Sequence, residues 1–416
     1  MSSIRPFRAL RPEPAQAADV SAVPYDVVNA AEAAALADGN PLSCLRVSRA
    51  EIDLPADVDH YADEVYATAV ANFARLRAAA PLVIEEAAAL YVYRLRMGAH
   101  VQTGIAATCS VDEYERNVIL KHEKTRRDKE DDRTRHIVEL RAQTGPVFLT
   151  YPASAAVDAL VATATARAPL FDFTAPDGVT HTVWTATDAE TGQIADAFHD
   201  IPALYIADGH HRAASAMRAR HAIADDGTGT QAEGPAGDGE IESDWFLAVA
   251  FPHDQMQILP YHRVVKDLNG LTAAQLLDGI RAAGVDVCDG SDTPAGVGKV
   301  SMYLDGAWLC LCLGPAAADA SAADRLDVSL LYDQVLAPLL GIGDPRTDKR
   351  IDFVGGIRGP QALKEAVDGG TAAVAFAMHP TQIEDLMGIA DAGGIMPPKS
   401  TWFEPKLRDG LLVHLI

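Results

Sequence analysis

At 416 residues the chain is long enough for two or three domains, and 49% hydrophobic with 22% charged residues is the balance of an ordinary globular protein. The formal net charge of −23 repels nucleic acid and anionic membrane surfaces, so an anionic small molecule would need a local basic pocket. No apolar run reaches the length of a membrane span, the segment Met1–Arg8 lacks a signal-peptide core, and the five cysteines are scattered without C-x-x-C spacing, so a reducing cytoplasm is expected.

In chain order, residues 1–30 set Arg5, Arg8 and Arg11 among prolines and then read Val23-Pro24-Tyr25-Asp26-Val27-Val28. This segment is extended, and Asp26 is either a turn residue or stands at the mouth of a site. An Ala-rich helix over 30–39 ends at Gly39 before the Asn40-Pro41 turn, and Leu42–Val47 reads as a strand. A long helix is predicted from Asp57 to about Ala80, where Val58, Tyr61, Val65, Ala69 and Phe73 recur at helical spacing as a packing stripe. Leu90–Arg96 alternates as a strand, with Gln102–Cys109 as its hairpin partner across Gly98.

Residues 121–135 differ in kind, with seven basic and five acidic side chains. A basic excess inside an acidic chain is what an anionic ligand requires, and His122, Glu123, Lys124 and Thr125 group base, acid and cation. The bland alternative is a solvated helix laced with pairs such as Glu123 with Arg127. Val147–Tyr151 is then a strand, 155–167 a helix, Leu170–Trp184 one or two strands about the Pro176-Asp177-Gly178 turn, and 188–196 a helix.

The stretch Leu204-Tyr205-Ile206-Ala207-Asp208-Gly209-His210-His211-Arg212 reads as strand, tight turn and helix start, with the helix running to about Ile223. Gly209 permits the turn or a close approach of ligand. The first N–H groups of the helix favour an anion, and Arg212 adds a fork suited to phosphate oxygens. Asp208 stands ready to hold a metal ion or take a proton. The alternative is an Asp cap with histidines on a solvated first turn.

Residues 225–243 read as a mobile insertion. Trp245–Phe251 is a strand, with Gln257–Val265 as its expected neighbour, where His262 and Arg263 either converge on the central turn or are surface or structural residues of a strand end. Beyond 267 helices and strands alternate: helix 272–283, strand 299–304, a return through Asp305-Gly306 to 308–313, a helix near 328–340, a strand over 351–356 that ends in glycines, strand 373–378 and a helix from 381 to about 389. Lys399, in the rigid loop Met396–Trp402, is a phosphate contact or a surface cation. Residues 402–416 are expected to close as a strand pair across Asp409-Gly410. Three regions are expected: 1–150, 151–266 with the central turn, and 267–416 packed on that core.

Asp208-Gly209-His210-His211-Arg212-x-Ala-x-Ala resembles the signature of a bacterial and archaeal family of unknown function, DUF1015. Pro24–Val28, His122–Thr125, Leu259–Arg263 and Met396–Phe403 follow in that family's order. Over about ten residues the turn is also similar to the Gly-x-x-Arg phosphate turn of the ParB/sulfiredoxin superfamily, in which kinases of free serine carry an Asp-Gly-His-x-Arg turn. The fold implied is α/β or α+β, mixed sheets with flanking helices and that phosphate turn at a strand end. His210 replaces the reactive cysteine of sulfiredoxins, which argues against sulfur chemistry, and the charge argues against the DNA reading of ParB-type proteins.

The activity so implied is nucleotide-dependent phosphoryl transfer to a small hydroxyl metabolite, with serine as the acceptor suggested by the resemblance. Asp208, Glu123, His210 and His211 are the catalytic candidates. Gly209, Arg212, Lys124, Lys399, His262 and Arg263 are the phosphate- and nucleotide-binding candidates. The expected cofactors are Mg²⁺, held by Asp208 and Glu123, and ATP or ADP. The alternatives are a divalent-metal-dependent hydrolase of a phosphorylated small molecule and a non-catalytic nucleotide sensor. A small-molecule substrate is the expected partner, nucleic acid and membrane are not, and a homo-oligomer is compatible with the sequence.

Overall fold

The computed structural model describes residues 3–79, 82–230 and 241–416. The chain forms two compact units, Met1–Met256 together with Pro405–Ile416, and Gln257–Glu404. The expected boundaries fall elsewhere. A cut at 150/151 would run through a central strand, because the first unit's sheet takes strands from both sides of it. Of the insertion read over 225–243, residues 231–240 lie outside the described residues.

The first unit is built on a nine-stranded mixed sheet. Its strands are β1 (Ile4–Arg5), β2 (Tyr91–Met97), β3 (His100–Ser110), β4 (Ile119–Leu120), β5 (Val147–Tyr151), β6 (Phe171–Thr174), β7 (Thr180–Thr185), β8 (Leu204–Asp208) and β9 (Trp245–Pro252). They lie in the order β4-β8-β5-β9-β3-β2-β7-β6, with β1 also on β3. The pairs β4/β8 and β5/β9 are parallel and the others antiparallel. The central strands are apolar on both faces, as strands covered on both sides must be. Leu149, Ile206, Ala248 and Ile105 are buried in one core with Ile194, Phe198, Ala213 and Ile223 of flanking helices. Three helices matter for the site: α1 (Asp63–Ala79), α2 (Arg127–Leu140) and α3 (His210–Asp226).

Several expected elements form differently. Leu45–Ser48 is a single helical turn, since a short apolar run fits either conformation until packing decides. Tyr61 precedes α1 and is exposed, while Val65, Ala69 and Phe73 are buried as the stripe requires. Tyr261–Val265 does not neighbour β9. It is β10 of the second unit, whose sheet also holds β11 (Asp286–Asp289), β12 (Lys299–Leu304), β13 (Ala307–Cys312), β14 (Ile351–Gly355) and β15 (Val374–Ala377), in the order β11-β13-β12-β15-β10-β14. Residues 402–416 form no hairpin. Trp402–Phe403 pairs with Ile258–Leu259 in the second unit, whereas His414–Leu415 pairs with Ala142–Gln143 in the first. Among the described residues no helix is long and apolar enough to cross a membrane.

The first unit buries histidines in neutral form. His136 donates from Nε2 to the Val47 carbonyl at 2.9 Å, and burial pushes its pKa down to about 3, with Arg133 adding to the effect. The folded state then resists protonation while the unfolded state takes a proton below pH 6.5. Stability from this residue is complete above that value and falls with pH below it, by about 1.4 kcal/mol per pH unit. Urea unfolding of His136→Gln, which keeps a donor, is expected to show a shallower loss between pH 6.5 and 4.5 than the parent. Equal slopes would refute the assignment.

Candidate functional site

The central turn forms as its sequence dictates. The pairing of β8 with β5 shifts register between Ile206 and Asp208, and such an irregularity re-aims the side chain that follows it. Gly209 has φ 90° and ψ 27°, a left-handed conformation that favours glycine. Its N–H turns back to Asp208 Oδ1 at 2.7 Å. No side chain caps α3, whose ladder begins where the Ala213 N–H donates to the Gly209 carbonyl at 3.0 Å. The N–H groups of residues 210–212 therefore precede the ladder, where helix geometry concentrates positive charge.

Asp208 is held as an anion. Burial alone would raise its pKa, but Lys406 and Arg212, with hydrogen bonds from Lys406 and the Gly209 N–H, hold it well below the usual carboxylate range. Lys406 Nζ lies 2.8 Å from Oδ2. Arg212 is turned inward and engages the protein's own groups. Its Nη1 donates to the Pro146 carbonyl, Nη2 lies 3.9 Å from Asp26 Oδ1, and its buried Nε makes no hydrogen bond among the described residues. Three carboxylates, Asp26, Asp208 and Asp409, draw the guanidinium there and raise its pKa against the effect of burial. Asp409 shows the opposite balance, since burial pushes its pKa up to about 7 although Arg212 opposes it.

On the other side of the turn stand His122, Glu123 and His210. The two rings meet edge to face with centroids 4.4 Å apart, and His210 Nδ1 is 4.0 Å from Glu123 Oε2. Burial pushes the His122 pKa down to about 4 against a hydrogen bond with the Ile206 backbone. Burial and the neighbouring His122 push His210 well below its ordinary value. Both rings are thus neutral near pH 7. His122 Nδ1 and His210 Nε2 are buried and make no hydrogen bond among the described residues.

The remaining candidates separate. His211 accepts from the Arg126 N–H at 3.0 Å through Nε2, which fastens α3 to the start of α2. Lys124 is exposed beside Glu123. His262, Arg263 and Lys399 belong to the second unit. There His262 Nδ1 accepts the Met378 N–H at 3.1 Å, and buried Arg263 donates to the carbonyls of Tyr261 and, at 2.9 Å, Lys399. Lys399 Nζ lies 5.4 Å from the centre of the Tyr261 ring. These contacts serve the second unit's own backbone.

Sequence reasoning missed Lys406, Arg408 and Asp409, which residues 405–416 bring into the first unit. Arg408 is buried, donating from Nε to His181 Nε2 at 3.1 Å and pairing with Asp177. The available signals were a Lys, an Arg, an Asp and a His within a largely apolar stretch, and the Asp409-Gly410 turn. A cavity of about 440 Å³ also lies in the first unit, lined by Tyr25, Arg49, Tyr61, Lys129, Asp132 and Arg133. Its volume suits a small-molecule ligand, and its cations offset the acidic surroundings.

The expected Mg²⁺ pair does not fit this geometry. Asp208 Oδ2 is taken by Lys406, which leaves one carboxylate, Glu123, beside two imidazoles. Magnesium prefers an octahedron of oxygens.

No curated protein matches the chain. Among solved structures, a free serine kinase in complex with AMP is similar at TM-score 0.35 and 12% identity, covering 74% of this chain and 91% of that one. A conserved hypothetical protein from Pyrococcus furiosus gives 0.34 and 13%, over 75% and 95%. SbnI with a C-terminal truncation, from Staphylococcus aureus, gives 0.36 and 12%, over 74% and 87%. At such scores these likenesses say nothing of activity. The model described as protein of unknown function (DUF1015) matches residues 4–329, well over half of the chain, and the protein belongs to that family.

Proposed function

We propose that the chain is a phosphotransferase that takes a phosphoryl group from a nucleotide, ATP or ADP, and passes it to the hydroxyl of a small metabolite, of which free serine is the candidate. The observation that carries this reading is the uncapped start of α3, where a left-handed Gly209 closes β8 and leaves the N–H groups of residues 210–212 ahead of the ladder. Such a helix start holds phosphate oxygens by hydrogen bonds and by the helix dipole. Phosphoryl transfer asks chiefly for positioning and charge neutralisation. Lys124, exposed beside Glu123, supplies a cation, while Arg212, its side chain 10% exposed, fixes the turn by its bond to Pro146.

Asp208, held ionised by Lys406, is too weak a base to take a hydroxyl proton. That task falls to Glu123, the most exposed member of the His122–Glu123–His210 group, with the two neutral rings beside it. His211, bound to the Arg126 N–H, keeps α2 and α3 in place. A divalent-metal-dependent hydrolase of a phosphorylated small molecule is the second reading, favoured by that same group, and transfer to an acceptor without net hydrolysis separates the two.

The test is thermal unfolding with ATP, ADP, CTP or GTP. A nucleotide at 100 times its Kd stabilises by about 2.7 kcal/mol, visible as a rise in Tm. Lys124→Ala, an exposed change that leaves the fold intact, is expected to weaken binding with little change in unliganded Tm. No rise with any nucleotide would overturn the reading.

A further inference from the structure

We infer that His122, Glu123 and His210 form a binding site for a divalent transition-metal ion of the zinc type. One ring nitrogen of each histidine and one carboxylate oxygen of Glu123 lie within 4.8 Å of one another. Two ligands of a tetrahedral ion held at about 2.1 Å stand about 3.4 Å apart, so a small shift closes the set. Glu123, with its side chain 39% exposed, is the member able to make that shift, while both rings are fixed by burial.

The second observation is independent of the clustering. Buried polar atoms in folded proteins find partners, and those that lack one call for a missing water or ion. Here two imidazole nitrogens, His122 Nδ1 and His210 Nε2, make no hydrogen bond among the described residues, in side chains that belong to residues 2% and 6% exposed. The His122 ring also interacts with the Ile206 backbone, and a backbone contact of this kind orients a metal-ligating histidine. Two imidazoles and one carboxylate are a donor set for Zn²⁺, Fe²⁺ or Mn²⁺, with open positions left for water or substrate. Mg²⁺ is disfavoured by the same set.

The site coincides in place with the phosphotransfer reading but does not depend on it, and its test involves no turnover. The full chain is stripped with chelator, dialysed separately against Zn²⁺, Co²⁺ and Mg²⁺, and its metal content measured. Cys288→Ser forms the background, because Cys288, Cys310 and Cys312 also gather within 4.8 Å and would bind the same ions. One equivalent of Zn²⁺ or Co²⁺ is expected to remain, with a cobalt visible spectrum free of thiolate charge transfer, and Mg²⁺ is expected to be lost. Glu123→Gln, at a half-buried position, is expected to weaken Zn²⁺ binding at least about tenfold, and His122→Ala to abolish it. Retention of no ion, or affinity unaltered in Glu123→Gln and His122→Ala alike, would overturn the inference. Metal retention without any nucleotide-dependent rise in Tm would leave this site standing and remove the phosphotransfer reading. A nucleotide-dependent rise without metal retention would do the reverse.

Discussion

Lys406→Met is expected to lower the stability of the first unit by about 2–3 kcal/mol, a fall in Tm on the order of 5 °C. The methionine replaces the bulk of the lysine stem, so the loss isolates the charge. Asp208, ionised in the parent, would keep Arg212 and the Gly209 N–H but lose its nearest cation at 2.8 Å. Breaking a fully buried pair costs about 3–5 kcal/mol. The Asp208 side chain is 26% exposed, and water screens part of that amount. Because folding depresses the Asp208 pKa, its stabilisation is present above the ordinary carboxylate range and is lost as pH falls through the folded value. The gap between parent and Lys406→Met should therefore be full at pH 7 and shrink in acid. In a double-mutant cycle, Asp208→Asn should remove most of the effect of Lys406→Met. Additive losses would mean that the two side chains are not coupled.

A change far from the turn should be at least as costly. Gly104 sits in the middle of β3, and an added Cβ would lie 2.5 Å from the Ala250 carbonyl oxygen and 2.8 Å from the Phe251 ring. The carbonyl belongs to β9 in the centre of the sheet, and Phe251 is fully buried, so neither can move without breaking pairing or core. Gly104→Ala is expected to cost about 3 kcal/mol or more, the upper end of overpacking, and to reduce the yield of folded protein. Gly192 supplies the contrast. It lies in the helix Asp188–His199 with nothing within 4 Å of an added Cβ, and Gly192→Ala should stabilise by about 0.5–1 kcal/mol. Equal effects of the two substitutions in urea unfolding would contradict the packing described for β3 and β9.

What the sequence revealed of the site was its local part. Leu204–Asp208 followed by Gly209 announces strand, turn and helix because each signal lies within a few residues, and the structure follows it residue by residue. The group at His122–Thr125 stood out by its charge. That His122 faces His210 was hidden, since it depends on β4 lying beside β8, a pairing between segments some eighty residues apart. The inward turn of Arg212 was hidden for the same reason, because two of the carboxylates that draw it in, Asp26 and Asp409, come from opposite ends of the chain. Asp409-Gly410 did signal a turn, and Gly410 adopts φ 84°. Local turn chemistry could not say that Trp402–Phe403 pairs within one unit and His414–Leu415 within the other. His262 and Arg263 carried site-like residue types, and His262 Nδ1 and the Arg263 guanidinium bond to neighbouring backbone, a use that composition does not distinguish from catalysis.

Residues 405–416 return to the first unit only after Gln257–Glu404 have been made, and this sets an order of events during synthesis. At about 5–20 residues per second, the ribosome spends on the order of ten seconds on the intervening unit. Throughout that interval Asp208 lacks its lysine and His181 lacks Arg408. A nascent chain can thus assemble its second unit while its first still waits to be closed. A product cut or stalled before Lys406 would carry every motif of the central turn without the charge balance that holds it, and would be marked for degradation by its instability rather than released as a partly competent protein.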